Sequence, residues 1–132
     1  MMKELRVKTS SRVELLDITH LVEKAISEAK IKFGLCTVYV PHTTAAVTIN
    51  ENADPSVRRD IITELNKVIP FDDNYSHMEG NAAAHIKSSI IGSSETLLLD
   101  GGSLVLGTWQ GIFFCEFDGP RTRKVIVKLI EG

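Results

Sequence analysis

Four short apolar stretches fill the last third of this chain, and the glycine- and proline-containing turns between them constrain its fold strongly. The stretches are residues 96–99, 104–109, 111–117 and 125–130. Runs of this length, rich in β-branched and aromatic residues and bounded by turn residues, are typical of β-strands. Because connections this short join neighbouring antiparallel strands, the pattern predicts an antiparallel sheet.

The first half of the chain contains further predicted strands. Residues 3–8 and 12–16 alternate polar and apolar side chains, and the turn-forming residues 9–11 between them predict a hairpin. Residues 33–40 and 45–49 also have strand composition, and Pro41 ends the first of them because proline lacks a ladder donor.

In three segments the apolar residues recur at helical spacing. The first begins at Thr19, the predicted N-cap, and ends before Gly34. The second begins at Asp54, a capping residue that precedes a proline, and runs to Pro70. The third covers residues 81–91. About eight strands and three helices predict an α+β fold, an antiparallel, sandwich-like sheet with helices inserted, in a single domain over residues 1–132.

Charge and hydropathy narrow the classes of partner. The formal net charge is −2, from 15 basic and 17 acidic side chains spread along the chain. No basic stripe is present, which disfavours nucleic acid as a partner. The N-terminus lacks the apolar run of a signal peptide and no stretch reaches transmembrane length, so a cytoplasmic protein without membrane contact is expected.

Cys36 and Cys115, in apolar surroundings, are expected to be reduced core residues.

Three histidines are the candidates for a metal site. His42 follows a strand-ending proline, His85 lies one helical turn after Asn81, and His77 lies in the polar segment before that helix. Together they form a predicted nitrogen-rich metal site, for zinc or another divalent ion. The alternative is that each is a hydrogen-bonded structural histidine, since no compact ligand motif such as HExxH is present.

Other polar residues are candidates for catalysis and binding. Glu51, at a predicted strand end, is a candidate ligand, general base or orienting partner for an imidazole, or a solvated acid. Arg121 and Arg123 are expected to project on one side and to bind a phosphate, or else to pair with Asp118 or Glu116. Trp109 is a core, interface or stacking residue.

Three blocks of sequence then point to a known family. They are PHTTAAVTINENADP (residues 41–55), GNAAAHIKSSIIG (80–92), and LGTWQGI (106–112) with EFDGPRTR (116–123). In these blocks the chain resembles the YjbQ-type family, whose members are often called secondary thiamine-phosphate synthases, and the resemblance extends over nearly the whole chain.

The resemblance implies a compact α+β sandwich that assembles as a homotrimer with sites near subunit boundaries. It also implies a transferase that joins a hydroxymethylpyrimidine diphosphate to a thiazole phosphate. The family's polar positions fall on His42, Glu51, Asn81, His85, Asp118, Arg121 and Arg123. The expected roles are catalysis by Glu51, His42 and His85, metal binding by His42, His77 and His85, and substrate binding by Asn81, Trp109, Asp118, Arg121 and Arg123.

Three functions remain open from the sequence. The first is the synthase, with a divalent metal (zinc or magnesium) and a small phosphorylated metabolite as substrate. The second is a non-catalytic trimeric module that binds a metal or an anion. The third is a metal-assisted hydrolase in which Glu51 activates a bound water.

Overall fold

The computed structural model describes residues 1–132 and contains two antiparallel sheets and three helices. The elements are β1 (Met2–Lys8), β2 (Glu14–Asp17), α1 (Thr19–Ala29), β3 (Gly34–Tyr39), β4 (Ala45–Glu51), α2 (Pro55–Val68), α3 (Ala82–Ile91), β5 (Ser94–Asp100), β6 (Ser103–Leu104), β7 (Gln110–Glu116) and β8 (Thr122–Glu131). One sheet has the order β1-β8-β3-β5-β6 and the other the order β2-β7-β4. The α+β class and the antiparallel pairing predicted from the sequence are confirmed.

The predicted N-terminal hairpin is wrong. β1 pairs with β8, with Val7 opposite Arg123, whereas β2 pairs with β7 in the other sheet, with Leu15 opposite Cys115. Alternation of polar and apolar residues identifies the buried face of each strand, but it carries no information about the partner strand.

The strand predicted at residues 104–109 is also mostly wrong. Only Ser103 and Leu104 pair, with the end of β5. The chain then turns, because the Gly107 N–H donates to Gln110 Oε1 at 2.8 Å and the Gln110 N–H donates to the Gly107 carbonyl at 3.1 Å.

Two apolar clusters hold the layers together. The larger has 17 buried residues from both sheets and from α1, including Val22, Val38 and Phe114. The smaller has six buried residues, including Phe113 and Cys115, and lies against partly buried side chains of α2 and α3. β7 contributes to both clusters because its alternate residues face opposite layers. The three-stranded sheet is therefore the central layer.

The boundaries of α2 and α3 agree with the local sequence signals, but both predicted ends of α1 are wrong. The helix ends at Ala29 with Lys30, in the left-handed conformation at φ +59°, as its C-cap, whereas Gly34, predicted to follow the helix directly, is the first residue of β3. Asp54 caps α2 by accepting the Ser56 N–H at 2.9 Å, and α3 ends at Ile91 as predicted. Thr19 is not the N-cap of α1: Asp17 accepts its N–H at 2.9 Å, while its hydroxyl accepts the Ile112 N–H at 2.9 Å. None of the three helices, of which α2 is the longest at 14 residues, is long and apolar enough to cross a membrane.

Hydrogen bonds at the end of α3 bring three connecting segments together. The Val47 N–H donates to the Gly92 carbonyl at 3.2 Å, and the Val40 N–H donates to the Ser93 carbonyl at 2.8 Å. The Phe117 N–H donates to the Thr44 carbonyl at 3.2 Å. The connection between β3 and β4 therefore lies beside α3 on one side and the β7–β8 turn on the other.

Candidate functional site

A polar groove lies where these three segments meet. Its first part, the histidine pocket, has a volume of about 370 Å³ and is lined by His42, Thr43, Ala45, His85, Ser88, Ser89, Gly92 and Ser93. Its second part, the arginine pocket, has a volume of about 600 Å³ and is lined by Arg12, Thr43, Thr44, Glu79, Gly80, Asn81, His85, Asp118 and Arg121. Thr43 and His85 line both pockets, so the two pockets are adjacent, and together they are called the groove.

His42 is held by the main chain of β8. Its Nε2 accepts the Lys124 N–H at 3.0 Å. Burial lowers the pKa of His42 below its ordinary value, and the nearby positive charge of Arg123 lowers it further. His42 therefore stays a neutral imidazole at neutral pH.

His77 lies against His85, which lines both parts of the groove. Their ring centroids are 5.3 Å apart and their planes are nearly perpendicular, at 84°. His77 Nε2 lies 3.8 Å from Glu79 Oε2. Such a perpendicular, edge-to-face arrangement is a common packing contact of aromatic rings.

The third predicted metal ligand does not join this pair. The lone pair of His42 Nε2 is engaged by the Lys124 N–H. No group of three or more His, Cys, Asp or Glu side chains is placed so that it could hold a metal ion. The structure therefore does not bring the three predicted ligands together within the chain.

Asp118 organises the arginine pocket. Asn81 Nδ2 donates to Asp118 Oδ2 at 2.9 Å, and Arg121 Nε donates to the Asp118 carbonyl at 2.9 Å. Arg121 Nη2 also lies 3.2 Å from Asp118 Oδ2, and about half of the arginine side chain is exposed (51%). An arginine has five N–H donors, so several donors of Arg121 still face solvent.

Arg121 and Arg123 do not project on one side, contrary to the prediction. Arg123 is 2% exposed and forms an ion pair with Glu116, which is fully buried. Arg123 Nη2 also donates to the Thr44 hydroxyl at 2.9 Å. The ion pair that the sequence left as an alternative is the one present, and the Arg123 guanidinium lines neither pocket.

Glu116 is ionised in spite of its burial. Burial alone would raise its pKa, but hydrogen bonds from Arg123, Thr9 and the Asp118 N–H outweigh burial and hold the pKa below its ordinary value. The Thr9 hydroxyl donates to Glu116 Oε1 at 2.7 Å. Through hydrogen bonds, this network connects the end of β7 to Thr44 and to the β7–β8 turn.

Glu51 and Trp109 lie far from the histidines within one chain. Glu51 is paired with Gln110, whereas Ala45, beside the histidine pocket, is paired with Glu116 at the opposite end of the same two strands. Six residues of β-strand span about 20 Å. Trp109 is 62% exposed next to this far end. The structure does not bring either residue to the groove.

Several groove residues were not predicted from the sequence. Ser88 and Ser89 follow His85 by three and four residues on α3, and this helical spacing was a usable signal. Arg12 gave no such signal. It stacks on Phe71, with its guanidinium carbon 3.7 Å from the ring centroid, and Lys87 Nζ lies 4.0 Å from the same centroid.

The fold and the groove define a small α+β protein with a polar, histidine-containing site. Comparison with known protein families identifies the family of the chain. Residues 3–132 match the family described as UPF0047 protein YjbQ-like, and the chain belongs to this family. The resemblance inferred from the three sequence blocks is therefore confirmed.

Individual relatives match over most of their length. UPF0047 protein MJ1081 of Methanocaldococcus jannaschii is 56% identical over 130 residues, covering 98% of this chain and 94% of that protein. UPF0047 protein YugU of Bacillus subtilis is 50% identical, covering 98% and 99%. The crystal structure of a YjbQ/UPF0047 family protein from Clostridium acetobutylicum has a TM-score of 0.95 at 55% identity, covering 97% of this chain and 99% of that one. Hypothetical protein APE1520 of Aeropyrum pernix has a TM-score of 0.96 at 40% identity, covering 100% and 99%.

Proposed function

We propose that the groove binds a phosphorylated heterocycle and that the protein is a thiamine-phosphate synthase-type transferase. It would join a hydroxymethylpyrimidine diphosphate to a thiazole phosphate. The observation that supports this most is the adjacency of the two pockets, one lined by the half-exposed Arg121 and the other by the neutral His42. Two linked pockets suit a reaction with two substrates, one of which carries a diphosphate.

The charges of the arginine pocket support a phosphate at this position. Arg12 and Arg121 supply planar guanidinium donors, which bind phosphate through paired, charge-assisted hydrogen bonds. Asp118 would oppose an anion, but its carboxylate already accepts hydrogen bonds from Asn81 and Arg121. The hydroxyls of Thr43 and Ser89 add neutral donors along the groove.

A divalent ion would bind at His77 and His85. Their imidazole nitrogens favour zinc over magnesium. Such an ion would supply positive charge that stabilises a departing diphosphate. His42, whose Nε2 is already engaged, is left out of this proposed ligand set.

A second candidate is a non-catalytic anion-binding module. It is favoured by the pairing of both groove carboxylates, Glu79 with His77 and Asp118 with Arg121, which leaves no unpaired carboxylate to act as a general base. The hydrolase in which Glu51 activates water is less well supported, since Glu51 lies at the far end of β4.

An assay for product separates these candidates. Purified protein is incubated with the pyrimidine diphosphate and the thiazole phosphate, with magnesium or zinc, and thiamine phosphate is measured by oxidation to a fluorescent thiochrome. We expect turnover in the wild type and its loss in Arg121→Ala. Binding of both substrates without product would support the binding module.

Calorimetric titration tests the phosphate contact directly. Arg121→Ala is expected to weaken thiazole phosphate roughly tenfold or more and the free thiazole much less, because charge-assisted hydrogen bonds contribute about 1.5–3 kcal/mol each. Arg121→Lys should recover part of the loss, since lysine keeps the charge but lacks the planar fork. Arg6→Ala, an exposed position on β1, is the matched control. Equal losses for both ligands would contradict a phosphate contact.

A further inference from the structure

His42 lies beside strand β8, and its contact with that strand determines which of its ring nitrogens carries a proton. β3 pairs with β8 in a register that places Tyr39 opposite Ile126, so its continuation would place Pro41 opposite Lys124. Proline ends the strand there, and the Lys124 N–H has no ladder partner on that side. The His42 side chain supplies the missing acceptor through Nε2, at 3.0 Å.

An imidazole nitrogen that accepts a hydrogen bond cannot itself carry a proton. A neutral histidine has one N–H and one acceptor nitrogen, and an imidazolium has two N–H groups. Because the backbone amide of Lys124 can only donate, Nε2 must be the bare nitrogen and the proton must lie on Nδ1. In a protonated His42, the Nε2–H and the Lys124 N–H would be two donors facing each other without an acceptor.

Nδ1 of His42 is accessible and has no partner within the chain. It makes no hydrogen bond within the chain, since the contact with Lys124 is the only one formed by His42. It is also absent from the buried polar atoms that lack a partner, which are Arg58 Nε, Asn81 Oδ1 and Ser88 Oγ. His42 lines the histidine pocket, so a ligand in that pocket is in position to reach an accessible Nδ1–H.

We propose that His42 is fixed as the Nδ1–H tautomer and donates this hydrogen to an oxygen of an anionic ligand, so that it is not a metal ligand. This inference rests on the proposed function for the identity of the anion, and on the structure alone for the tautomer. Neither nitrogen is available to a metal: Nε2 is engaged by Lys124, and Nδ1 bears the proton. The low pKa of His42 has the same consequence, since burial and the positive charge of Arg123 disfavour the imidazolium.

Nuclear magnetic resonance of histidine-labelled protein tests the tautomer. Long-range ¹H–¹⁵N spectra at about pH 7.5, above the ordinary histidine pKa, distinguish a protonated Nδ1 from a protonated Nε2, and the His42→Asn variant assigns the signals. We expect a protonated Nδ1 and a bare Nε2 for His42. Addition of zinc alone is expected to move the signals of His77 and His85 and leave His42 Nε2 in place. A protonated Nε2, or a shift of Nε2 typical of metal binding, would overturn the inference.

Titration with inorganic pyrophosphate tests the donor role. The side-chain amide introduced by His42→Asn can place an N–H near the position of Nδ1, so this variant should bind pyrophosphate within about threefold of the wild type. His42→Ala has no donor and should lose roughly tenfold, the effect of about 1.4 kcal/mol. Equal losses in the two variants would overturn the donor role, and circular dichroism shows whether each variant is folded.

The two proposals fail in different ways. If the wild type does not bind pyrophosphate at all, the proposed function and the donor role both fall. If it binds pyrophosphate but His42 carries its proton on Nε2, only the present inference falls.

Discussion

Arg123 is almost completely enclosed, although it comes from a turn-proximal segment rich in polar residues. Its guanidinium is satisfied by Glu116 and by Thr44, and Glu116 is in turn satisfied by Thr9 and the Asp118 N–H. A buried charge without a partner is costly, so each member of such a network depends on the others. Arg123 therefore supports the groove indirectly, through its contacts with Glu116 and with Thr44, which lines the arginine pocket.

Removal of Arg123 should therefore destabilise the fold. We expect Arg123→Ala to lower the free energy of unfolding by about 3–5 kcal/mol, because Glu116 is left buried and unpaired. Arg121→Ala, which removes an exposed ion pair, should cost about 1 kcal/mol or less. Urea unfolding followed by circular dichroism measures both. The double variant Glu116→Leu with Arg123→Met should lose less than Arg123→Ala, and equal stability of the two single alanine variants would contradict this account.

Lys87 is a second buried charge, and it has no carboxylate partner. It is 0% exposed and donates to Asn66 Oδ1 while its Nζ lies over Phe71. Burial lowers its pKa to about 8, with a smaller contribution from the charge of Arg12. A lysine in an unfolded chain has a pKa of about 10.4. The unfolded state therefore binds more protons between these two values.

The stability contributed by Lys87 should rise with pH. Below about pH 8 both states are protonated and the cost of burying the charge is fully present; above about pH 10.4 both are neutral and the cost is absent. We expect the free energy of unfolding of the wild type, relative to Lys87→Met, to increase across this window by roughly 1.4 kcal/mol for each unit by which the pKa is lowered. Lys128→Met, at an exposed position, is the control. Parallel pH curves for the wild type and Lys87→Met would contradict this prediction.

At the scale of secondary-structure elements, the close contact of β3 with β8 depends on Gly34. Its φ is +143°, and a Cβ built there would lie 1.9 Å from the Ile130 carbonyl oxygen. The residue opposite Gly34 in β8 is Glu131. Glycine therefore allows the first residue of β3 to join the ladder without displacing the end of β8.

Gly34→Ala should separate these two strand ends. We expect a loss of at least about 3 kcal/mol in the free energy of unfolding, from the backbone clash and the unfavourable φ together. Gly101→Ala is the matched control: its φ is +61°, but no atom lies within 4 Å of the added Cβ, so about 1–2 kcal/mol is expected. Chemical denaturation compares the two variants. Equal losses would show that backbone conformation, and not contact with β8, is responsible.

At the scale of the whole molecule, the outer face of the five-stranded sheet exposes apolar side chains at one end. Leu35, Leu98 and Ile130 come from three adjacent strands and are 39%, 57% and 52% exposed. Glu51 and Trp109 lie at the far end of the central sheet from the histidines. We propose the homotrimer implied by the family resemblance.

Light scattering coupled to size-exclusion chromatography tests the assembly. We expect a mass about three times that of the 14.6 kDa chain at micromolar concentration. His42→Ala and Arg121→Ala should keep this mass, so that changes in ligand binding are not caused by dissociation. A monodisperse monomer in the wild type would rule out the trimer.

The sequence by itself determined the local structure and most members of the site. Helices α2 and α3 were predicted with their ends, because caps, proline and apolar period act within a few residues. His42, Asn81, His85, Asp118 and Arg121 were all identified, and the structure places them in one groove. Their chemistry is that of their residue types, which sequence shows directly.

Tertiary structure alone decided which segments meet. The alternation of polar and apolar residues predicted which face of β1 and β2 is buried, but not which strands they pair with. β1 pairs with β8 and β2 with β7, so these pairings depend on contacts between opposite ends of the chain. Strand β8 begins at Thr122, so Arg123 faces the core while Arg121 stays outside it. The length of β4, about 20 Å, separates Glu51 from the histidines, and the end of β3 before Pro41 leaves the Lys124 N–H to His42. Each of these contacts depends on strand register and on distances between segments that are far apart in the sequence, so local sequence patterns do not predict it.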